Sequence, residues 1–596
     1  MSRVKNRVAF GLSLAIVFVF FSGIFGRSLA RGAEYFVSSS RGDDSASGTS
    51  PETAWRTLLR VSTSPELQGG DVVRFRCGDV WREGLAPRSG SEGRPIIYTS
   101  YGEGAKPSFW QSVSANRESD WVPVGENLWA TRPTRVTTLR SAPNFFVGEW
   151  GLYAEGGAKA RKTETDGTIS VEIEQGGSAG SRVQLMKSPF SIRNGARYRL
   201  SFDASGKDVS GVVVSLMMQN SPWSSYGATT GEIKCSSEPT RQSLIFTSTQ
   251  DAEDARLTFY LGTLPSGARL TLSNFEAEEV EVDALDLAPD VGNVVLDGGK
   301  AAFKKWTAEE LTGPDEFFYE RGEGRVWYYS KENPATRFDS IECARMRHVV
   351  NLSGVHDAIF DGLDIRNGGA HGFGGSGNAR ITIRNCDVSW IGGGDQYLQG
   401  GSGRRVRYGN GIEFWSSARD HVVENCRIWE VYDAALTNQG SGENQEVNIT
   451  YRGNTIWNCE YSFEYWNRDA TSITENIEFV DNVCMNAGYG WGHVQRPDKN
   501  GRCLMFYSNT AQTRGFVLKG NVFANATESL VRYDAEWTPE APKMTENVYW
   551  QEDATVPYQT WLKKKYFKDD FKTFQSETGQ EQGGRVERRS VEIPQL

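Results

Sequence analysis

The sequence has few cysteines, and none stands in a metal-binding pattern. Eight cysteines are scattered over 596 residues without CxxC spacing. The sequence therefore predicts neither a zinc site nor a dense disulfide scaffold. Cys386 and Cys426 each follow an asparagine at equivalent points of a repeat, so we expect a buried apolar stack, although a disulfide between them is sterically feasible.

Positive charge is also scarce. Lysine and arginine number 65 against 75 acidic residues, which gives a formal net charge of −10. This balance argues against nucleic acid as a partner. An acidic surface would also repel a strongly anionic polymer, unless the groove that binds it is locally basic.

A long apolar run occurs at the N-terminus. Residues 8–26 are apolar, follow Arg3, Lys5 and Arg7, and precede the small residues around Ala30. This order is typical of a signal peptide over residues 1–30, which predicts a secreted or periplasmic protein. The alternative is an uncleaved membrane anchor, since the run approaches the length of a membrane span.

One short pattern recurs between residues 361 and 550: an apolar strand, an Asn or Gly, and a second apolar strand. Asparagine suits the tight turn because it tolerates left-handed dihedral angles and bonds to neighbouring backbone. Regular leucines are missing and the segments alternate with period two, so the repeat predicts an all-β solenoid, a β-helix, rather than a leucine-rich repeat. The anchors are Gly362, Asn385, Asn425, Asn454, Asn482, Asn521 and Asn547.

Between residues 144 and 280 the strands lengthen and alternate, as an antiparallel β-sandwich requires. The solenoid pattern resumes at residues 293–299, so the sandwich is predicted to be an insertion. We expect a signal peptide at 1–30, a cap and first coils at 31–140, the sandwich at 141–282, the main β-helix at 283–555, and a capping helix with a polar tail at 556–596.

Two resemblances add to this interpretation. Residues 35–38, 69–78 and 94–98 resemble the cap and first coils of secreted, right-handed parallel β-helix proteins of the pectate-lyase-like superfamily. Residues 144–150, 194–204 and 272–275 resemble a carbohydrate-binding module of family 4/9, a jelly roll. The resemblances imply a right-handed parallel β-helix with an inserted antiparallel jelly roll and a polysaccharide partner. Asn274 stands where the family usually closes with an acidic pair, which puts a structural calcium ion in doubt.

The inserted sandwich is expected either to bind glycan or to act as a non-binding prop. For binding, Trp223 and Tyr226 are the aromatic residues expected to be exposed and to contact the sugar.

The third strand of each repeat predicts a functional face. Six-residue frames starting at residues 371, 410, 433, 461, 502 and 528 have apolar third positions, which should point inward and leave the fourth and sixth positions outward. The outward columns then hold Glu413 and Glu464 beside an aromatic stripe, which suits a polysaccharide groove. The loops 392–408 and 487–501 lead into this face. The predicted substrate-binding residues are Trp415, Trp466, Asn438, Tyr507, Asp395, Arg468 and Arg496.

A carboxyl pair in this position predicts glycoside hydrolysis. Glu413 and Glu464 lie two coils apart, about 9.5 Å between backbones, which with side-chain reach suits an inverting enzyme. Asp433 starts the intervening strand and allows a retaining pair instead, and His493 is a further catalytic candidate. No metal ligand is predicted.

Two other functions stay open. One is a polysaccharide lyase that cleaves a uronic-acid polymer by β-elimination, with calcium as its only expected cofactor. Its candidate residues are His493, Arg496, Lys499, Arg407 and Tyr461. The other is a non-catalytic glycan-binding surface protein. A monomer is expected in each case, with a membrane partner only if the signal segment is uncleaved.

Overall fold

A computed structural model describes residues 32–209, 211–221, 223–227, 231–233, 235–283, 285–399 and 403–587. The expected signal peptide lies outside these ranges. The chain divides into two compact units, the first formed by the described parts of 1–111, 347–393 and 407–596, the second by those of 112–346 and 394–406. No helix in the described ranges is long and apolar enough to cross a membrane.

The first unit is built from three sheets of parallel strands, apart from one antiparallel pair at the end of the third sheet. Sheet A contains Glu34–Val37, Val72–Arg76, Ile96–Tyr101, His356–Asp361, Ala379–Arg384, Arg419–Glu424, Gln445–Arg452, Ile473–Val480, Gln512–Lys519 and Lys543–Thr545. Sheet B contains Val80–Trp81, Ser108–Trp110, Asp364–Gly368, Asp387–Ile391, Arg427–Val431, Thr455–Trp457, Val483–Ala487, Val522–Ala526, Val548–Trp550 and Arg585–Val586. Sheet C contains Val350–Asn351, Phe373–Gly374, Ile412–Trp415, Ala434–Ser441, Tyr461–Arg468, Arg502–Phe506, Ser529–Tyr533, Gln559–Trp561 and Lys564–Tyr566.

From residue 356 to residue 561 the chain visits sheets A, B and C in the same order in every repeat. Each repeat therefore adds one parallel strand to each sheet. The inward side chains form one continuous apolar core along the unit, which includes Phe360, Ile383, Ile428, Phe463 and Leu504.

The anchor residues fall into two registers. Asn385 and Asn425 have the left-handed φ that the turn was predicted to need, 53° and 54°. The later asparagines, from Asn454 onward, instead align with Cys386 and Cys426, because the strands that follow them pair in register. The single-column alignment predicted from the sequence is thus off by one residue for the first two asparagines.

The later asparagines form a buried ladder between successive repeats. The side-chain oxygen of Asn482 accepts from the backbone and side-chain amides of Asn454, at 3.0 and 2.9 Å. Asn521 and Asn547 continue the pattern, and the ladder ends at the carboxylate of Glu581. Each fully buried amide thereby has a partner, which a desolvated polar group requires.

The two cysteines at the start of this column behave as predicted. Cys386 and Cys426 are buried and form no disulfide, so the apolar stack is confirmed.

In the second unit, two antiparallel sheets enclose a separate core whose residues all lie between positions 142 and 277. The five-stranded sheet runs Trp150–Ala154, Val183–Ile192, Ala252–Tyr260, Val212–Met218 and Gly231–Ile233. The six-stranded sheet comprises Lys159–Thr165, Thr168–Gln175, Arg269–Asp283, Arg197–Lys207 and Thr240–Thr247, with Arg135–Ser141 paired to Arg269–Asp283. Two further sheets comprise Lys300–Ala301, Val291–Leu296, Ile341–Arg345 and Ser112–Ser114, and Phe303–Lys305, Glu316–Glu320, Arg325–Tyr329, Leu128–Thr131 and Trp121–Gly125.

A two-stranded sheet pairs Gly394–Leu398 with Arg405–Tyr408. The α-helices of the described chain are short: Leu58–Thr63, Trp491–Gln495 and Phe571–Thr578. Single 3₁₀ turns occur at Pro51–Thr53, Glu118–Asp120, Pro143–Phe146, Gly180–Arg182, Ala308–Glu310, Pro334–Thr336 and Lys568–Asp570.

Residues 558–570, within the segment predicted to form the C-terminal capping helix, do not form an α-helix. The strands Gln559–Trp561 and Lys564–Tyr566 pair antiparallel, and the two residues between them have φ of 48° and 73°. Two consecutive positive φ values match the two-residue turn that joins twisted strands. The helix begins only at Phe571, where Phe571 and Phe574 pack into the core.

Candidate functional site

Sheet C places the two predicted glutamates in one row. Glu413 pairs with Thr437, and Thr437 pairs with Glu464 on the next strand. Their neighbours Trp415, Gln439 and Trp466 form a second row on the same strands. Because side chains two residues apart share a face of a strand, both rows lie on the same side of the sheet.

The frames starting at residues 433 and 528 are each one residue out of register, the second because Leu504 pairs with Val531 rather than with Leu530. Ile412 pairs with Leu436 rather than with Ala435. Asn438 therefore pairs with Tyr465 in an inward row, is fully buried, and accepts a hydrogen bond from the Tyr451 hydroxyl. The prediction that Asn438 faces the groove is wrong, because two adjacent alanines leave the alternation of this strand ambiguous.

Glu413 is 6% exposed and has two polar neighbours. Asn410 Nδ2 donates to its Oε2 at 2.5 Å, and His371 Nε2 lies 3.3 Å from the same oxygen. His371 Nδ1 accepts from the Asn410 backbone amide at 2.9 Å. Burial lowers the pKa of His371 to about 3, so the ring is neutral and its proton lies on Nε2, directed at Glu413.

Burial raises the pKa of both glutamates. The pKa of Glu413 rises to about 7, with the Asn410 hydrogen bond acting in the opposite direction. The pKa of Glu464 rises well above its ordinary value, through burial first and then through the nearby charges of Asp433 and Glu413. Gln439 Nε2 donates to Glu464 at 2.6 Å. Burial therefore favours the protonated form of both carboxyl groups, and the nearby acidic charges add to this effect at Glu464.

Asp433 completes the group of acids. Burial raises its pKa, while the guanidinium of Arg496, 2.7 Å from its Oδ1, opposes that shift. Burial acts to lower the pKa of Arg496, but Asp433 and its neighbours outweigh burial and raise the value. Asp433 and Arg496 thus form a largely buried ion pair beside the two glutamates.

Aromatic rings flank the carboxyl row. Trp415 and Trp466 meet edge to face, with ring centroids 5.5 Å apart. The Arg468 guanidinium lies 4.5 Å from the Trp466 centroid, so it stacks on the ring. The Tyr507 hydroxyl lies 3.5 Å from the Tyr461 hydroxyl, and Tyr507 interacts electrostatically with Glu464. Half-buried rings beside polar groups can hold the apolar face of a sugar.

The remaining predicted residues have other partners. His493, on the helix Trp491–Gln495, lies with Nδ1 2.9 Å from Glu460 Oε2. Asp395 belongs to the second unit, where it pairs with Arg321 at 2.6 Å and Arg405 at 2.7 Å. Among the described residues, His493 thus pairs with Glu460 rather than with Glu413 or Glu464.

Sequence reasoning missed His371 and Asn410. Both are the first residues of their six-residue frames, and both contact Glu413. For Asn410 the signal was its place three positions before Glu413, and His371 holds the same frame position on the neighbouring strand, where Phe373 pairs with Ile412. His348 stacks on His371 at 4.8 Å, and burial lowers its pKa to about 4, so it too is neutral.

The sandwich carries a second candidate site. A cleft of about 500 Å³ lies on the outer side of the five-stranded sheet, lined by Tyr153, Glu155, Ser181, Gln184, Met186, Met217, Trp223, Arg256 and Tyr260. Trp223 is 56% exposed, as predicted. Tyr226 is only 4% exposed, and its hydroxyl donates to Asp254 at 2.6 Å. The prediction of an exposed Tyr226 is wrong because its ring packs into the sandwich core.

Within the described ranges, no group of three His, Cys, Asp or Glu side chains is placed to hold a metal ion. At the position where a structural calcium was in doubt, Asn274 Nδ2 donates to Asp203 at 2.6 Å.

No protein-family model and no curated protein matches the sequence. Solved structures similar to the chain include a glycoside hydrolase at 10% identity, covering 89% of this chain and 96% of that one with a TM-score of 0.35. A GH136 lacto-N-biosidase from Eubacterium ramulus matches at 10% identity, with coverages of 94% and 68% and a TM-score of 0.32. The N-terminal cellulose-binding domain of β-1,4-glucanase C from Cellulomonas fimi matches at 19%, with coverages of 27% and 97% and a TM-score of 0.18.

The structural neighbours are thus glycoside hydrolases and carbohydrate-binding modules. At these identities and scores they decide neither the family nor the activity of this chain.

Proposed function

We propose that this protein is an exported carbohydrate-active enzyme that hydrolyses glycosidic bonds, with Glu464 as general acid and Glu413 as general base. The observation that supports this proposal is the row Glu413, Thr437 and Glu464 on adjacent strands of sheet C. It holds two buried carboxyl groups beside a tryptophan pair.

The spacing of the row favours inversion. Two strand steps correspond to about 9.5 Å between backbones, within reach of the ~6.5–9.5 Å that inverting enzymes keep between carboxyl groups. Glu464 gives its proton to the glycosidic oxygen while Glu413 takes a proton from the attacking water. The bond from the anomeric carbon to the leaving oxygen breaks as the bond to the water oxygen forms. Exchange with solvent then restores both carboxyl groups.

The pKa values suit these roles. A general acid must be protonated at working pH, as burial favours for Glu464. A general base works best with a pKa near the working pH, and that of Glu413 is raised to about 7. Asp433, paired with Arg496, supplies a fixed ion pair for substrate hydroxyls.

β-Elimination is the second candidate, since Arg496 lies near Tyr461, with 5.8 Å between the guanidinium and the ring centroid. Such a pair can neutralise a uronate and take its α-proton. Burial raises the pKa of Tyr461, however, which opposes its action as a base and favours hydrolysis.

The same proposal covers the architecture and location. The three parallel sheets are interpreted as the faces of a right-handed parallel β-helix of the pectate-lyase-like kind, and the sandwich as an inserted glycan-binding module. We propose export through the signal peptide at residues 1–30 and a monomeric enzyme.

The test is a screen on neutral and acidic polysaccharides that records reducing ends and ultraviolet absorbance together. Hydrolysis produces new reducing ends without unsaturated products, and NMR of fresh product should show the inverted anomer. Unsaturated ends would replace hydrolysis by elimination, and a retained anomer would move the second role from Glu413 to Asp433. A chain that binds a polysaccharide without cleaving any tested substrate would support the surface-protein alternative.

A further inference from the structure

The outer face of the five-stranded sandwich sheet carries an unusual cation. Along the strand Ala252–Tyr260, Ala255, Leu257 and Phe259 point into the core. Arg256 and Tyr260 therefore point to the other side and line the cleft. Arg256 is nevertheless only 8% exposed.

Arg256 has weak partners. Its Nη1 lies 3.2 Å from the sulfur of Met186 and its Nη2 lies 3.3 Å from Gln184 Oε1. Its Nε is buried and finds no hydrogen-bond acceptor among the described residues. The buried hydroxyl of Thr258, the next outward residue on the strand, is likewise without a described partner.

Glu155, an acid in the lining of the cleft, already has partners. Arg182 pairs with Glu155 at 2.8 Å, and Glu155 also accepts from the Tyr153 hydroxyl. The nearby acid is therefore already engaged by another cation. In the described sandwich, no carboxylate lies within ion-pair distance of Arg256.

A buried guanidinium without an anion is costly, because desolvation is not offset by an ion pair. Burial lowers the pKa of Arg256, and the phenol of Tyr260 acts in the opposite direction. This unfavourable burial of Arg256 occurs in the lining of an open cleft. Arginine recognises carboxylates and sulfates through paired N–H donors, so an anionic ligand group would supply what Arg256 lacks.

The rest of the cleft fits a sugar ring. Trp223 is 56% exposed and Tyr153 is 44% exposed, and both line the cleft. Exposed aromatic faces stack on the C–H faces of sugars. Met186, Met217 and Gln184 also line the cleft, and their sulfur atoms and amide offer adaptable contacts.

We infer that the sandwich cleft binds acidic glycans, with the anionic group of one residue paired with Arg256 and its ring stacked on Trp223. This inference rests on the proposed glycan-binding role of the sandwich and specifies its ligand class. The anion is either a uronate carboxylate or a sulfate ester. Arg256 also supplies the local positive charge that an acidic protein needs to hold an anionic polymer.

The test is calorimetric titration of the full-length chain in a Glu464→Gln background, which suppresses turnover. The probes are an oligogalacturonate, the same oligosaccharide after reduction of its carboxyl groups, and a sulfated galactan oligosaccharide. We expect an acidic probe to bind at least about tenfold more tightly than the reduced one, with an affinity that falls as salt rises.

Variants assign this binding to the cleft. Arg256→Met should weaken the acidic probe about tenfold or more and leave the reduced one unchanged, while Arg256→Lys should restore part of the affinity. Trp223→Ala should weaken both probes. Arg161→Met is the matched control, because Arg161 lies on the other sheet, is 63% exposed and pairs with Glu172. Near-ultraviolet circular dichroism and thermal melting confirm that each variant folds.

The outcomes separate the two proposals. Equal affinity for acidic and reduced probes, abolished by Trp223→Ala, would overturn the acidic-glycan inference and keep a glycan-binding sandwich. Acidic binding that Arg256→Met leaves intact would also overturn it. Absence of any binding that depends on Trp223 would remove the glycan role of the sandwich, whereas hydrolysis by the wild-type chain is measured independently.

Discussion

The carboxyl row of sheet C and the cleft of the sandwich differ in their buried ionisable groups: the row has an excess of acids, and the cleft has a cation without a paired anion. Glu413, Asp433 and Glu464 interact electrostatically, with Arg496 as the cation paired to Asp433. In the cleft, Arg256 is buried with no described carboxylate beside it. Burying ionisable groups is costly, so their presence in both places supports the two proposed roles. An excess of acid suits proton transfer, and an unpaired cation suits recognition of an anion.

The two sites are also constructed differently. The carboxyl row runs across parallel strands, where each repeat adds one position, so its members are spaced by whole strand steps. The cleft takes side chains from antiparallel neighbours, such as Met217 opposite Arg256. The strand spacing of the row can hold two reacting groups at a fixed distance. The mixed side chains of the sheet face instead provide a surface for binding a ligand.

The largest expected effect concerns the proposed general acid of the carboxyl row. Glu464→Gln should lower kcat by about 10²–10⁴-fold, because the amide cannot protonate the leaving oxygen. Substrate affinity and melting temperature should change little, since glutamine keeps the shape of the side chain. Steady-state kinetics on the substrate found by the screen provide the measurement.

Glu475→Gln is the matched control, because Glu475 is an exposed glutamate on sheet A. It should retain wild-type kcat. If Glu464→Gln also retained it, the general acid would lie elsewhere, and Asp433 would be the next variant to measure.

The rows on sheet C were predictable because strand alternation requires only local sequence. Glu413, Glu464, Trp415 and Trp466 lie in the predicted rows for that reason. Asn438 was misplaced where two alanines blur the alternation.

Other features depend on partners that are distant in sequence. The partner of Tyr226 is Asp254, 28 residues away. The unpaired state of Arg256 depends on which side chains the fold leaves out of reach. Neither the contact of Tyr226 nor the unpaired state of Arg256 can be predicted from a local sequence pattern. The acidic-glycan inference therefore required the structure.

A smaller effect is expected at the tryptophan pair beside the carboxyl row. Trp466→Ala should raise the dissociation constant of the substrate about tenfold, ~1.4 kcal/mol, with a smaller change in kcat. The ring contributes contact area rather than a proton. Binding to the Glu464→Gln protein measures this directly, and Trp223→Ala in the sandwich is the parallel change in the other site. A Trp466→Ala protein with lower kcat and unchanged affinity would place Trp466 in positioning the acid instead.

The smallest expected effect is a shift in pH dependence. The rising limb of kcat/KM should follow ionisation of Glu413, whose pKa is raised to about 7. Asn410 donates to the ionised form and so holds this pKa down. Asn410→Ala removes that donor, and the rising limb should therefore move to higher pH while the plateau rate changes less.

Asn410 also accepts from the Ala434 backbone amide at 3.0 Å, so melting temperature must be followed in the same variant. A folded Asn410→Ala protein with an unmoved limb would show that another group provides the base. Asp433 would then be that group, because its bond to Arg496 does not involve Asn410 and its ionisation would be insensitive to the change.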